Sequence, residues 1–154
     1  MITEKTGDVL TSDLRPGVII VHGCNCLGVM GAGVALAVKI KYPAAYDVYM
    51  HVHNTAGLKL GDVTIAEVEK DIFVINANTQ HYVGGIKPIN YEAVAQCFTL
   101  VQGFVEAFIK LRPGIKAEVR FPKIGSGLGG GNWNIISTII DETITLAPKV
   151  LYTL

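Results

Sequence analysis

Two glycine clusters stand where a backbone could grip a phosphate: Gly31-Ala32-Gly33-Val34 near the start, and Gly125-Ser126-Gly127-Leu128-Gly129-Gly130-Gly131 near the end. Each follows an apolar β-like run, Val18 to Val21 and Val119 to Ile124, and each precedes residues with helical spacing. Glycine lets the chain come close to a ligand and take positive φ, while a helix N-terminus presents unpaired N–H groups and a partial positive charge. Two such junctions in one short chain suggest a diphosphate held from both sides. Other residues bring side-chain chemistry. Asp8, just after a strand-like start, has a carboxylate to offer an exocyclic amine, and a capping or turn aspartate is the plain alternative. Asn25 donates and accepts at once, which suits a ribose diol or, more simply, a left-handed turn. Ser126 adds a hydroxyl to a ring of amides, or is merely small. Gln80, His81 and Tyr82 fall on an expected loop from which they could touch the distal group of a ligand.

His22, Cys24 and Cys26 alternate, and on one strand face they would invite a metal or nucleophile reading. No second ligand pair at finger-like spacing accompanies them, small buried cysteines are common in cores, and His22 reads first as a core or supporting histidine. Neither a metal nor a cofactor is expected. The dinucleotide pattern G-x-G-x-x-G is met formally by Gly125 to Gly130, but it comes near the end of the chain and no acidic residue stands at positions 145 to 150. The earlier cluster lacks the third glycine and has His51, Val52 and His53 where the acid belongs. Lys-Ser or Lys-Thr follows neither cluster, which excludes a Walker-type loop.

These residues need elements to position them. Strands are predicted over Met1 to Thr6, Val18 to Cys24, Val63 to Val68, Ile72 to Asn78, Ala117 to Phe121 and Lys149 to Tyr152. Glu69-Lys70-Asp71 reads as a turn and Thr79 to Pro88 as a loop. Helices are predicted over Val34 to Lys41, from Pro43 to about His53, Tyr91 to Leu111 and Trp133 to Leu146. In the third, Val94, Phe98, Val101, Val105 and Phe108 keep three-to-four spacing, so one face packs on a sheet. The alternation implies a three-layer α/β/α sandwich around a central mixed, mostly parallel sheet, in one domain over 1–154, with a ligand site at the carboxyl ends of strands.

Composition narrows the function classes. Of 154 residues half are hydrophobic and 17% are charged, with Lys+Arg and Asp+Glu at 13 each, so no footprint for duplex nucleic acid or an anionic membrane is visible. A bound anion must then be held largely by backbone amides. Purely apolar runs are far shorter than a membrane span, no signal-peptide pattern precedes the first strand, and three cysteines make no even disulfide framework. A soluble, cytoplasmic protein is the expectation.

Taken in order, Gly7-Asp8-Val9, His22-Gly23-Cys24-Asn25-Cys26, Met30-Gly31-Ala32-Gly33-Val34-Ala35, Tyr42-Pro43, Phe121-Pro122-Lys123-Ile124-Gly125-Ser126-Gly127-Leu128, Asn132-Trp133 and Tyr152-Thr153-Leu154 resemble a macrodomain from end to end. The resemblance is to the branch containing ADP-ribose 1″-phosphate phosphatases and ADP-ribosyl hydrolases. It implies an ADP-ribose pocket in which Asp8 accepts from the adenine amino group beside the Gly7 to Val9 backbone. It further implies that Asn25 holds the distal ribose, that Gly23 and Cys24 are among the ligand-binding residues, that Met30 to Ala35 wrap that ribose and a phosphate, and that Ile124 to Gly130 wrap the diphosphate. Asn25 and His81 are the candidates for the chemistry.

One branch of that family removes ADP-ribose with a lysine nucleophile and an aspartate partner. The lysine is expected at the end of the strand leading to Asn76-Ala77-Asn78 and the aspartate just after Leu128, but no lysine is there and Gly129 takes the aspartate's place. What remains is water attack on a positioned phosphate or glycosidic carbon, with loop amides stabilising the transition state. The expected function is thus hydrolysis of ADP-ribose 1″-phosphate or a related ADP-ribosyl derivative, ADP-ribosylated protein or nucleic acid included. The competing function is a non-catalytic reader of the same groups.

Overall fold

A computed structural model describes residues 1–82, 89–126 and 130–154. Six strands, β1 (Ile2–Thr6), β2 (Val18–Asn25), β3 (Val63–Glu69), β4 (Ile72–Gln80), β5 (Glu118–Phe121) and β6 (Lys149–Thr153), form one sheet in the order β1-β6-β5-β2-β4-β3. Every neighbouring pair is parallel except β3 with β4. The continuous apolar run Val18-Ile19-Ile20-Val21 lies mid-sheet and is buried on both faces, as strands of parallel sheets are.

Side-chain alternation along β2 feeds two cores. Val18 and Ile20 face α1 (Gly33–Lys41) and α2 (Pro43–Asn54), packing with Val38, Tyr42, Ala45 and Val74. Ile19 and Val21 face α3 (Tyr91–Leu111) and α4 (Trp133–Thr143), packing with Phe98, Val101, Phe121, Ile136 and Ile140. The three-layer sandwich is as expected. All five residues of the predicted α3 row are buried. By length and composition α3 could cross a membrane, but its apolar stripe is spent on the sheet and on α4.

Most boundaries fall within one residue of expectation, and two differ by more. Helix α4 stops at Thr143 rather than Leu146, because the Gln102 side chain captures Thr145 from both sides: its Nε2 donates to Thr145 Oγ1 at 2.8 Å, and its Oε1 accepts from the Thr145 amide at 3.2 Å. Strand β4 runs on through Thr79 to Gln80 instead of ending at Asn78. Cys24 pairs with Asn78 and Asn25 with Gln80, so Thr79 is one extra residue, a bulge at the carboxyl end of the central strands. Bulges re-aim side chains.

Candidate functional site

The carboxyl ends of β2, β4 and β5 open onto a cleft of about 400 Å³. Its floor is His22 to Asn25 with Thr79 and Gln80, one wall is Val29 and Gly31 to Ala35, and the other is Pro122 to Gly125.

The first wall is a helix start left open. Asn90 and Asn132 cap α3 and α4 by accepting amide hydrogens from Ala93 and Asn134, each at 2.9 Å, whereas Ala32 in the same position on α1 has no side chain to do so. The first helical bond is Leu36 N–H to Ala32 O at 3.2 Å, so the amides of Gly33, Val34 and Ala35 have no partner among the described residues. No acidic residue stands in that turn. These donors line the cleft, together with the positive end of the helix dipole. Gly33 takes φ of +58°, and a Cβ placed on it would meet nothing within 4 Å.

The second wall is crowded. Gly125 takes φ of +70°, a Cβ there would run into Ile89 Cδ1, and the Gly125 carbonyl accepts from the Gly131 amide at 2.6 Å, drawing the two ends of the loop together. Ile124 is buried, and a Cβ on Gly23 would come within 3.0 Å of Ile124 Cγ2 and 3.1 Å of Thr79 Oγ1, so the floor is narrow for want of a side chain at Gly23. Gly127, Leu128 and Gly129 lie outside the described residues.

Beneath the cleft runs a buried polar chain. Asn76 Nδ2 donates to Ala45 O and Thr64 Oγ1, both at 2.9 Å, which leaves its Oδ1 to accept from His22 Nε2 at 2.6 Å. His22 is therefore the Nε2–H tautomer, with Nδ1 the acceptor and Cys24 Sγ 3.8 Å away. Burial holds the imidazole pKa down to about 4 against the pull of Asn76, so the ring is neutral at pH 7. Burial, and then the neighbouring Cys97 and Cys26, push the Cys24 thiol far up, so it is no thiolate nucleophile. His22 is a supporting histidine that also forms floor.

Asn25 is on the floor, but its amide is already employed. Oδ1 accepts from Leu27 N at 2.9 Å and Tyr49 Oη at 3.0 Å, and Nδ2 donates to Val29 O at 2.8 Å. It shapes the loop that carries the first glycine cluster. Met30 is buried against Cys24 and Tyr49, so it fixes the wall from behind and does not line it. His81 is exposed, with its carbonyl accepting from Cys26 N at 3.2 Å and its ring 6.1 Å from that of Tyr82; Gln80 alone of that trio reaches the cleft. Ser126 turns its hydroxyl back to Lys123 O at 3.0 Å, and Gly130 stands outside the lining.

Gly7, Asp8 and Val9 sit apart, at the end of β1. Asp8 Oδ1 accepts from Leu10 N at 2.8 Å, so the turn-aspartate alternative describes one of its oxygens, and Val9 is buried in the core under α1 and α2. The lining residues that sequence reasoning left out are Val29, Thr79, Pro122 and Lys123. The bulge that aims Thr79 has no signature in the residue string, whereas Pro122 and Lys123, just before the second glycine cluster, had one.

Comparison with known proteins agrees with this fold. The Macro domain family model matches residues 21–140. A DNA ADP-ribosyl glycohydrolase of Mycobacterium tuberculosis is 27% identical over 154 residues, covering 97% of this chain and 40% of its own length. An ADP-ribose 1″-phosphate phosphatase of Aspergillus oryzae is 48% identical over 52 residues, covering 34% of this chain and 24% of its own. The chain thus spans well under half of these curated relatives. The solved macrodomain protein of Streptomyces coelicolor superposes with a TM-score of 0.81 at 29% identity, covering 100% of this chain and 99% of that one. With six strands in this order, an uncapped helix start facing a glycine loop and a family match over most of its length, the chain belongs to the Macro domain family.

Proposed function

We propose that the cleft binds ADP-ribose and that the protein hydrolyses an ADP-ribosyl derivative, either ADP-ribose 1″-phosphate or an ADP-ribosyl group on protein or nucleic acid. The observation that carries the reading is the uncapped start of α1 facing the Gly125 loop: unsatisfied amides on one side and a tight loop on the other suit a diphosphate. The names of the mycobacterial and Aspergillus relatives point to the same class of substrate. In this reading the Asp8 carboxylate receives the adenine amino group, Gly33 to Ala35 donate to the phosphates, and water attacks the distal phosphorus or glycosidic carbon in the part of the cleft floored by Asn25, Thr79 and Gln80. A cytoplasmic setting is part of the proposal.

The test is calorimetry with ADP-ribose, with and without chelator, followed by incubation with ADP-ribose 1″-phosphate and with ADP-ribosylated protein and DNA. Metal-independent binding and release of phosphate or ADP-ribose are expected; no heat at millimolar ligand sinks the proposal. Replacing Asp8 by Ala weakens ADP-ribose by about 2 kcal/mol, the size of a charge-assisted hydrogen bond, and leaves ribose 5-phosphate untouched. A reader without turnover is the second reading. It is favoured by a floor whose histidine is neutral and whose asparagine is committed to its own loop.

A further inference from the structure

Helices α1 and α2 cover the β2, β4 and β3 side of the sheet, while over β5 and β6 that face is covered by the segment after β1, the one bearing Asp8. A charged residue lies under it. Arg120, on β5, has none of its surface exposed, and four of its five guanidinium N–H groups have partners. Nε and Nη2 donate to Glu118 Oε2 at 2.9 and 2.6 Å, Nη1 donates to the Ser12 carbonyl, and Nη2 also reaches the Asp13 carbonyl at 3.2 Å. Its flat face lies 4.6 Å from the centroid of Tyr152, whose ring edge a Cβ on Gly7 would meet at 3.4 Å.

The two carbonyls belong to a turn with a left-handed residue. Asp13 sits at φ of +47°, which costs a side-chain-bearing residue about 1 kcal/mol. Its carbonyl is drawn down by Arg120 and also accepts from Arg15 Nη1 at 3.1 Å, while Arg15 Nη2 pairs with Glu118 Oε1 at 3.2 Å. Ser12 carries the hold onward: its Oγ accepts the Asp8 amide at 2.9 Å, and its own amide donates to Asp8 O at 2.9 Å. A continuous chain of hydrogen bonds therefore runs from Glu118 through Arg120 and Ser12 to the backbone of Asp8. Burying a guanidinium and a carboxylate together has a large desolvation cost, so such a pair is weak evidence of stability, and here its remaining donors are spent on one loop.

The geometry points to Arg120 as the positioning residue of the Asp8 loop, setting the carboxylate where an adenine amino group is recognised, with Ser12 as the link between them. This rests on the proposal that Asp8 receives adenine. The decisive ligands are ADP-ribose and ribose 5-phosphate, titrated against the parent protein and against Asp8→Ala, Ser12→Ala and Arg120→Lys, with amide hydrogen exchange at Asp8 to Ser12 as a second readout. Ser12→Ala removes the Oγ that accepts the Asp8 amide, keeps the backbone bonds of Ser12 to Asp8 and Arg120, and touches only a half-buried side chain, so it serves even where Arg120→Lys fails to fold. Ser12→Ala is expected to weaken ADP-ribose about five-fold, the worth of one hydrogen bond, to speed exchange at Asp8, and to leave ribose 5-phosphate unchanged. Arg120→Lys, which keeps the charge and loses the fork, acts in the same direction and more strongly. If Asp8→Ala is selective for ADP-ribose while Ser12→Ala and Arg120→Lys are not, the positioning role is overturned and the adenine reading stands. If Asp8→Ala is itself without selective effect, the adenine reading fails and the positioning role falls with it.

Discussion

The two glycine walls of the cleft have similar sequences and need their glycines for different reasons. At Gly33 a side chain would have room all round, and glycine is required by the left-handed backbone at the mouth of a helix. At Gly125 the backbone is left-handed too, but a side chain would also drive into Ile89, which plugs the loop from below. One wall is open to a ligand and costs the fold little to alter. The other is part of the core.

Substitutions that add the same methyl group to both walls test this difference. Gly125→Ala combines an overpacked core with a strained φ and loses about 4 kcal/mol of stability, read by chemical denaturation. Shortening the plug in the double variant Gly125→Ala, Ile89→Ala restores part of that loss, and strict additivity of the two single variants would refute steric contact as the cause. Acid separates the floor from both walls. His22 is held near pKa 4 when folded against 6.5 when free, so the unfolded chain binds the proton first. The stability that neutral His22 contributes is whole above pH 6.5 and drains as pH falls toward 4, by about 3 kcal/mol in all. His22→Gln should flatten the stability profile over that window; an unchanged slope would show that the ring is not the group responsible.

Between core and rim lies Asn25. Asn25→Ala releases the loop bearing Gly31 and Gly33 and costs about 2 kcal/mol of stability, with ADP-ribose affinity and any turnover falling together because the wall itself moves. A fall in turnover at undiminished affinity would instead return Asn25 to a catalytic role. The smallest effect on folding is Gly33→Ala, about 1 kcal/mol for the φ alone, with no contact to relieve. Its effect on ADP-ribose binding should exceed its effect on the melting temperature, and if Gly33→Ala destabilised as much as Gly125→Ala the contrast between the walls would collapse.

The layers and the mostly parallel sheet were legible because periodicity reports burial: Val18 to Val21 read as an apolar strand, and Val94 to Phe108 as a helix face. The open helix start was legible for a related reason, since Gly31-Ala32-Gly33 stands directly before residues of helical spacing. Side-chain roles were less so. Asn25 looked like a ribose ligand because residue type shows what an amide can bond, while Leu27, Val29 and Tyr49 decide what it does bond. Thr79 and Arg120 were missed for a common cause. A bulge arises from register between strands, and a buried cation from a partner two residues away combined with carbonyls 107 and 108 positions distant, so no local window holds either.

The pairing of β1 with β6, Ile2 beside Lys149 through Thr6 beside Thr153, has a consequence for biogenesis. Within this domain the first of the six strands to be made is matched with the sixth, and Arg120 is translated more than a hundred residues after the turn it anchors. The nascent chain can order β2, β3 and β4 with their helices while its N-terminal strand waits as an unpaired edge. The Asp8 turn is in this sense a late part of the domain, completed only when β6 arrives and the long stretch of chain between β1 and β6 closes into a loop.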